Sequence, residues 1–312
     1  MVVEHLTWDW LAALGMTFGG LGGGAFLVAA ITSLCTGSKY RELLKLGAYL
    51  AASFAILDLL MLAAELGHPE RALYIYSNPS SMVTIGGSIL MVFIILGIIY
   101  ITFLPPDSLP WLRSWFPWYR YTAARNFIEV IGIPFAVGTS YTGVLLAVAS
   151  AKPFWNTPVL PALFFLSAVL TGVMAIGLLL SFLYPTKLVK EEKAILLSTL
   201  HKVSISGIFL GIASLAVALF YLLMTLSSPS PLAVRSAKLL VEGLLSPMFI
   251  GGFVVVGLVI PILLCGYLIH MKKKKADSST VPLLMAAGSI CVIIGNILMR
   301  YAILAAGQLV TL

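Results

Sequence analysis

Apolar residues run almost without interruption through eight stretches of this chain, approximately 11–35, 46–66, 82–104, 127–150, 158–184, 203–226, 246–269 and 281–307. A helix rises about 1.5 Å per residue, so each stretch is long enough to cross a hydrocarbon layer about 30 Å thick. The runs are continuous rather than alternating, which excludes the roughly ten-residue strands of a membrane barrel. The pattern predicts an all-α integral membrane protein with eight transmembrane helices. No connection between stretches is long enough to fold as a soluble domain, the longest lying near 105–125 and 227–245. A composition of 60% hydrophobic and 10% charged residues, with mean hydropathy +1.05, likewise leaves too little polar surface for a soluble protein of 312 residues.

Polar positions between the stretches set an orientation. The loops after the first, third, fifth and seventh stretches hold Lys39, Arg41, Lys45, Arg113, Arg120, Arg125, Lys187, Lys190, Lys193, Lys202 and Lys272 to Lys275, which are 14 of the 19 basic residues. The other loops hold only Arg71, Lys152, Arg235 and Lys238, and Arg300 falls inside the eighth stretch. Basic loops stay cytoplasmic, so both termini are expected on the outer face. The net charge of +7 is then a topology signal and does not point to nucleic acid. Residues Met1 to Trp10 lack a basic n-region, so the first stretch is expected to remain as an uncleaved helix. Trp8, Trp10, Trp111, Trp115, Trp118 and Trp155 stand at stretch ends, where indoles favour lipid headgroups.

Several chemistries are not expected. Cys35, Cys265 and Cys291 are solitary and form no Cys-x-x-Cys pair, so they read as small buried hydrophobes rather than ligands of an iron–sulfur cluster or zinc. A haem needs axial ligands at matched depth on facing helices. His5 and His68 fall at the outer ends, and His201 and His270 at the inner ends, so neither a haem nor a metal is expected in this chain. The segment Gly19, Gly20, Gly22, Gly23, Gly24 lies within a span and lacks the preceding strand of a phosphate loop. Gly15, Gly19 and Gly23 recur every four residues, as do Gly20 and Gly24, which lets another helix backbone approach closely.

Charge inside a span is costly unless paired or hydrated, which makes Asp58, Glu65, Glu129 and Arg300 candidates. Asp58 lies mid-span and Glu65 seven residues further on, on one helical face. With Asp9 and His5 they outline a proton path to the outer surface; the competing reading is a structural Asp58 bonded to a neighbouring helix. Glu129 follows Arg125 by four residues, which fits either an intrahelical ion pair or a proton entry point. Arg300, near Asn296, Tyr301 and Gln308, needs acceptors that lipid cannot supply, so it either ties helices together or faces a wet cavity. Tyr141, in the run Thr139, Ser140, Tyr141, Thr142, Gly143, can donate to a carbonyl while its ring lies on an apolar head, which suits a quinone.

At these residues the chain resembles the NrfD/polysulfide reductase membrane-anchor family. The matching stretches are the Gly-rich first span, Glu65-Leu66-Gly67-His68-Pro69-Glu70-Arg71, and Ser80-Ser81-Met82 leading into Gly86. Further on they are Tyr141-Thr142-Gly143-Val144-Leu145-Leu146 with Trp155, Leu160-Pro161, Phe164-Phe165, Gly295-Asn296, Met299-Arg300-Tyr301-Ala302 and Ala306-Gly307-Gln308. The resemblance implies two four-helix bundles, 1–150 and 151–312, with a quinone or quinol site, menaquinone-type included, near the outer face of the first. It also implies an anchor without haem or cluster of its own, an iron–sulfur (ferredoxin-like) partner docked outside, and a molybdopterin catalytic subunit beyond it. Tyr141 carries over as a quinone-binding residue. The family's polar His and Asn on the first helix align with Gly15 and Ala12 here, so Glu65, His68 and Asp9 are assigned to the site from their own chemistry.

The resulting expectation is a quinone-reactive subunit of a respiratory oxidoreductase, not catalytic alone. Tyr141, Glu65, His68 and Asp9 form its site, Asp58 and Glu129 would serve a proton path, and Arg300 and Arg125 act in structure or pathway. The alternative is a secondary transporter with a midplane site around Asp58 and Arg300.

Overall fold

A computed structural model of the protein describes residues 7–37, 39–66, 68–104, 121–183, 190–273 and 280–310. His5, Gly67, Trp111, Trp115, Trp118, Arg113, Arg120, Lys187, Lys274 and Lys275 lie outside the described residues. Every regular element among the described residues is helical. In sequence order they are α1 (Trp10–Thr36), α2 (Arg41–Glu65), a 3₁₀ segment (Pro69–Ser77), α3 (Met82–Thr102), α4 (Thr122–Gly138), α5 (Tyr141–Ala147) and α6 (Val159–Leu183). There follow α7 (Lys190–Leu226), α8 (Pro231–Val241), a π-helical segment (Pro247–Val259) running into α9 (Ile260–Lys273), and α10 (Thr280–Leu309). Eight of the resulting helical spans are long and apolar enough to cross a membrane, with α4 and α5 counted together and the π segment joined to α9. The chain is a multi-pass membrane protein.

Three local departures from the hydropathy pattern have physical causes. Helices α2 and α7 begin well before the apolar stretches at 46 and 203, because Lys, Glu, Leu and Ala are good helix formers and extend the ladder past the hydrocarbon. The fourth stretch is broken at Thr139–Ser140. Pro134 removes an N–H from the ladder, and the Thr139 hydroxyl donates to the Ala136 carbonyl at 2.8 Å, before α5 restarts at Tyr141. In the seventh span the wide π turns close at Ile260, whose N–H donates to Val255, directly before Pro261.

Helix α1 sits at the centre. It lies against α2, α4, α6 and α10, while α3 lies against α2 and α4, α7 against α6 and α9, and α10 against α6 and α9. Glycines allow this. A methyl on Gly22 would stand 3.0 Å from the Ala51 carbonyl, one on Gly47 2.9 Å from the Ala25 carbonyl, and one on Gly24 would overlap the Ala168 carbonyl. The α1, α2 and α6 backbones therefore touch; Gly24, facing α6, belongs to the four-residue glycine spacing, whereas Gly22 and Gly47, which bring α1 and α2 together, do not.

Both ends of the described chain meet on one face. The Trp8 N–H donates to Gln308 Oε1 at 3.0 Å, and Gln308 Nε2 donates to the Trp8 carbonyl at 2.8 Å. Trp10 stacks on Tyr301 with ring centroids 3.8 Å apart. Trp155 differs from the headgroup indole expected of it: it is buried, lies over Gly307 and donates to the Ile303 carbonyl at 2.9 Å. Gly307 has no side chain to hold the ring off α10, so the indole N–H reaches a backbone acceptor instead of water.

Candidate functional site

Asp58 faces inward from α2 and is buried. The side chain fits because α1 presents glycine to it. A Cβ on Gly15 would stand 3.2 Å from Asp58 Oδ1, and one on Gly19 would overlap Oδ2. Gly20, one residue on, faces α6 and α10 instead, where a Cβ would be 2.9 Å from Arg300 Nη2. Asp58 and Arg300 thus occupy notches on different flanks of the same thinned helix and interact electrostatically.

Arg300 is fully buried on α10. Its Nη2 donates to the Phe164 carbonyl and its Nε to Asn296 Oδ1, both at 3.4 Å, and its guanidinium carbon lies 4.6 Å from the Phe164 ring centroid. Asn296 Nδ2 in turn donates to the Ser167 carbonyl at 2.8 Å and to the Thr171 hydroxyl. The arginine and asparagine together clamp α10 to α6. Arg300 Nη1 is buried and makes no hydrogen bond.

Tyr141 opens α5, just past the break in the fourth span. Its ring lies against Gly86 of α3, where even a methyl would overlap it. It lines an apolar cleft of about 340 Å³ with Met82, Ile85, Ile89, Val144, Pro161 and Phe165. Ile85 and Val144 are exposed on the outside of the helix array, so the cleft opens toward lipid. No group among the described residues accepts a hydrogen bond from the Tyr141 phenol. A flat molecule with an apolar tail and a carbonyl or hydroxyl head matches this lining: apolar walls, side access and one unspent donor.

Glu65 ends α2, with one carboxylate oxygen buried and unpartnered. Asp58, Tyr76 and Glu65 are all close enough to Tyr141 to act on it electrostatically, and Asp9 likewise on Glu65. Asp9 caps α1, accepting from the Leu11 N–H at 2.8 Å, and His68 is exposed just beyond α2. Asp58, Glu65, Tyr141 and Asp9 thus form an electrostatically linked series from the interior to the face that carries the termini.

Glu129 and Arg125 lie elsewhere. Twelve residues before Tyr141, or roughly 18 Å along a helix, Glu129 is fully buried near the lysine-rich end. Arg125 Nε pairs with its Oε1 at 3.5 Å, and the Tyr100 hydroxyl donates to the same oxygen at 2.9 Å. Ser33 Oγ and Glu129 Oε2 are both buried at this cluster. Tyr100 escapes sequence reasoning because it sits 29 residues from Glu129 in an otherwise apolar helix; an unexplained mid-span tyrosine is the available signal. Tyr76, on the 3₁₀ segment, escapes for the opposite reason: it lies in a loop, where tyrosine is unremarked. Among the described residues no group of three His, Cys, Asp or Glu is placed to hold a metal ion.

Known proteins share this sequence over most of its length. The protein is 31% identical to a polysulfide reductase subunit of Wolinella succinogenes, over 97% of this sequence and 95% of that one. It is 26% identical to protein NrfD of Escherichia coli, over 98% and 96% respectively. A selenate reductase subunit from Mesobacillus selenatarsenatis is 23% identical over 58% of this sequence and 49% of its own length. The family model described as polysulphide reductase, NrfD, matches residues 2–311, and the chain belongs to that family.

Proposed function

We propose that this protein is the quinone-reactive membrane subunit of a respiratory reductase complex in a prokaryotic cell membrane. One observation carries the reading: the unspent Tyr141 phenol stands in a lipid-open apolar cleft, electrostatically linked to the half-buried Glu65, one of whose oxygens is unpartnered. The names of the relatives, subunits of polysulfide and selenate reductases, support a membrane partner to catalytic and iron–sulfur subunits. The neighbour order supports two four-helix halves, α1 to α5 and α6 to α10, with the site in the first. The basic loops support an outward placement of the face that carries Trp8 and Gln308.

Oxidation of a quinol releases two electrons and two protons, so acceptors for both must lie close by. Tyr141 donates to one head oxygen and fixes the ring in the cleft. The buried Glu65 oxygen accepts a proton. Asp9 and His68, both at the surface beyond it, pass that proton to outer water. Asp58 holds a second protonatable position deeper on the same face of α2. Electrons leave toward an iron–sulfur partner docked over the outer face. The transporter reading fares less well: Asp58 packs against Gly15 and Gly19, and Arg300 against Gly20 with its guanidinium spent on Phe164 and Asn296.

The test is quinol oxidation by the intact complex. Tyr141→Phe keeps the ring and removes the donor, and should raise KM about fivefold, the worth of one hydrogen bond. Glu65→Gln should lower kcat by about 100-fold, the low end for loss of a positioned base. Full activity in both variants would leave the protein as a structural anchor.

A further inference from the structure

At the lysine-rich end, where α1 passes into α2, Tyr40 is almost fully buried and carries two ammonium groups. Lys202 of α7 donates a hydrogen bond to its hydroxyl oxygen and sits 4.3 Å from the ring centroid; Lys39 Nζ is 5.9 Å from the same centroid. Among the described residues neither lysine meets a carboxylate. Of the carboxylates at this end whose side chains are described, Glu42 is held by Lys45 at 3.0 Å and Glu129 by Arg125. Both lysines are exposed, so the cluster opens outward at the level where a helix pair leaves the hydrocarbon. Because Tyr40 accepts from Lys202, its own O–H remains available as a donor. The Lys202 hydrogen bond, with the Lys39 charge nearby, also holds the phenol below its ordinary pKa, the electrostatic mark of uncompensated positive charge.

We propose that Lys39, Tyr40 and Lys202 form an anion site that takes a phosphate group, supplied by an anionic phospholipid headgroup. Two ammonium groups neutralise the phosphate and the phenol donates a third hydrogen bond, from side chains of the α1–α2 junction and of α7. The lipid then ties the α1–α2 corner to α7, bridging the two halves at the end opposite the Tyr141 cleft. The lipid is the favoured source because the cluster lies at headgroup depth beside apolar helices. A free phosphate would satisfy the same donors. The site is independent of any quinone chemistry.

The test uses the purified protein in detergent, titrated with phosphatidylglycerol, phosphatidylcholine or inorganic phosphate, read by native mass spectrometry and by thermal melting. Phosphatidylglycerol should remain bound one-to-one and raise the melting temperature, while phosphatidylcholine does neither. The double variant Lys39→Gln/Lys202→Gln should lose roughly 25-fold in affinity, about fivefold per lysine near a charged surface. Tyr40→Phe, which keeps both ammonium groups, should lose less than either lysine. Lys45→Gln, whose partner is Glu42, should bind as wild type does. Melting in phosphatidylcholine alone reports whether each variant is folded. If inorganic phosphate protects as well as the lipid, the anion site stands and its ligand is free phosphate. Equal phosphatidylglycerol affinity in wild type and the folded double variant overturns the proposal.

Discussion

Gly86→Ala tests the link between backbone geometry and the Tyr141 cleft. A methyl at this position would overlap Cε2 and Cδ2 of the Tyr141 ring and lie 2.5 Å from Cζ. Carbon atoms settle at about 3.5–4.0 Å, so the ring must withdraw by at least about 1 Å. It has little room, since α5 is already tight against α6: a methyl on Gly143 would stand 2.9 Å from Phe164 Cβ and from Pro161 Cα. Overpacking of this kind costs about 1–3 kcal/mol. A displacement near 1 Å in a positioning group lowers rate by about 100-fold. Gly87→Ala is the internal control. Its methyl would meet nothing closer than the Tyr76 hydroxyl at 3.4 Å, an ordinary contact, and alanine gains up to about 1 kcal/mol of helix propensity. The assay is quinol-dependent turnover of the complex together with unfolding of the protein in mixed micelles. Gly86→Ala should be slower and less stable than wild type, and Gly87→Ala equal to or more stable than it. Two alanine variants with the same turnover and stability would refute the reasoning.

Other expectations concern the buried polar clusters. Asn296→Leu removes the bonds to Ser167 and Thr171 and an acceptor of Arg300, and should destabilise the fold by about 1–2 kcal/mol in micelle unfolding, the range for interhelical hydrogen bonds in membranes. Glu129→Met leaves the buried Arg125 guanidinium and Tyr100 hydroxyl without their shared carboxylate, and should cost about 3–5 kcal/mol in the same assay. Tyr100→Phe, which removes only one hydrogen bond, should cost about 1 kcal/mol.

Much of this organisation is legible in the sequence, because a bilayer imposes length and continuity on every span. The eight stretches, the glycine spacing that admits α6, and the Arg125–Glu129 proximity all follow from local periodicity. What escapes depends on contacts between distant segments. The break at Thr139–Ser140 falls inside a continuous apolar run, and hydropathy averages over it. Its place at the end of an apolar stretch puts Trp155 at the headgroups, yet Gly307, far along the sequence, gives its ring a bed. The Asp58 notch is written in Gly15 and Gly19, but only pairing of α1 with α2 shows which glycines face the carboxylate. Tyr40 and Lys202 are 162 residues apart and meet only in the fold.

The central claim is that this protein exchanges electrons between quinol and an iron–sulfur partner at its outer face. Its most direct test is gentle purification from the native membrane, with mass spectrometry of the co-purifying proteins and analysis for iron and molybdenum. A stoichiometric iron–sulfur subunit, accompanied by a molybdopterin subunit and both metals, is the predicted result. An intact protein that emerges alone and metal-free would contradict it.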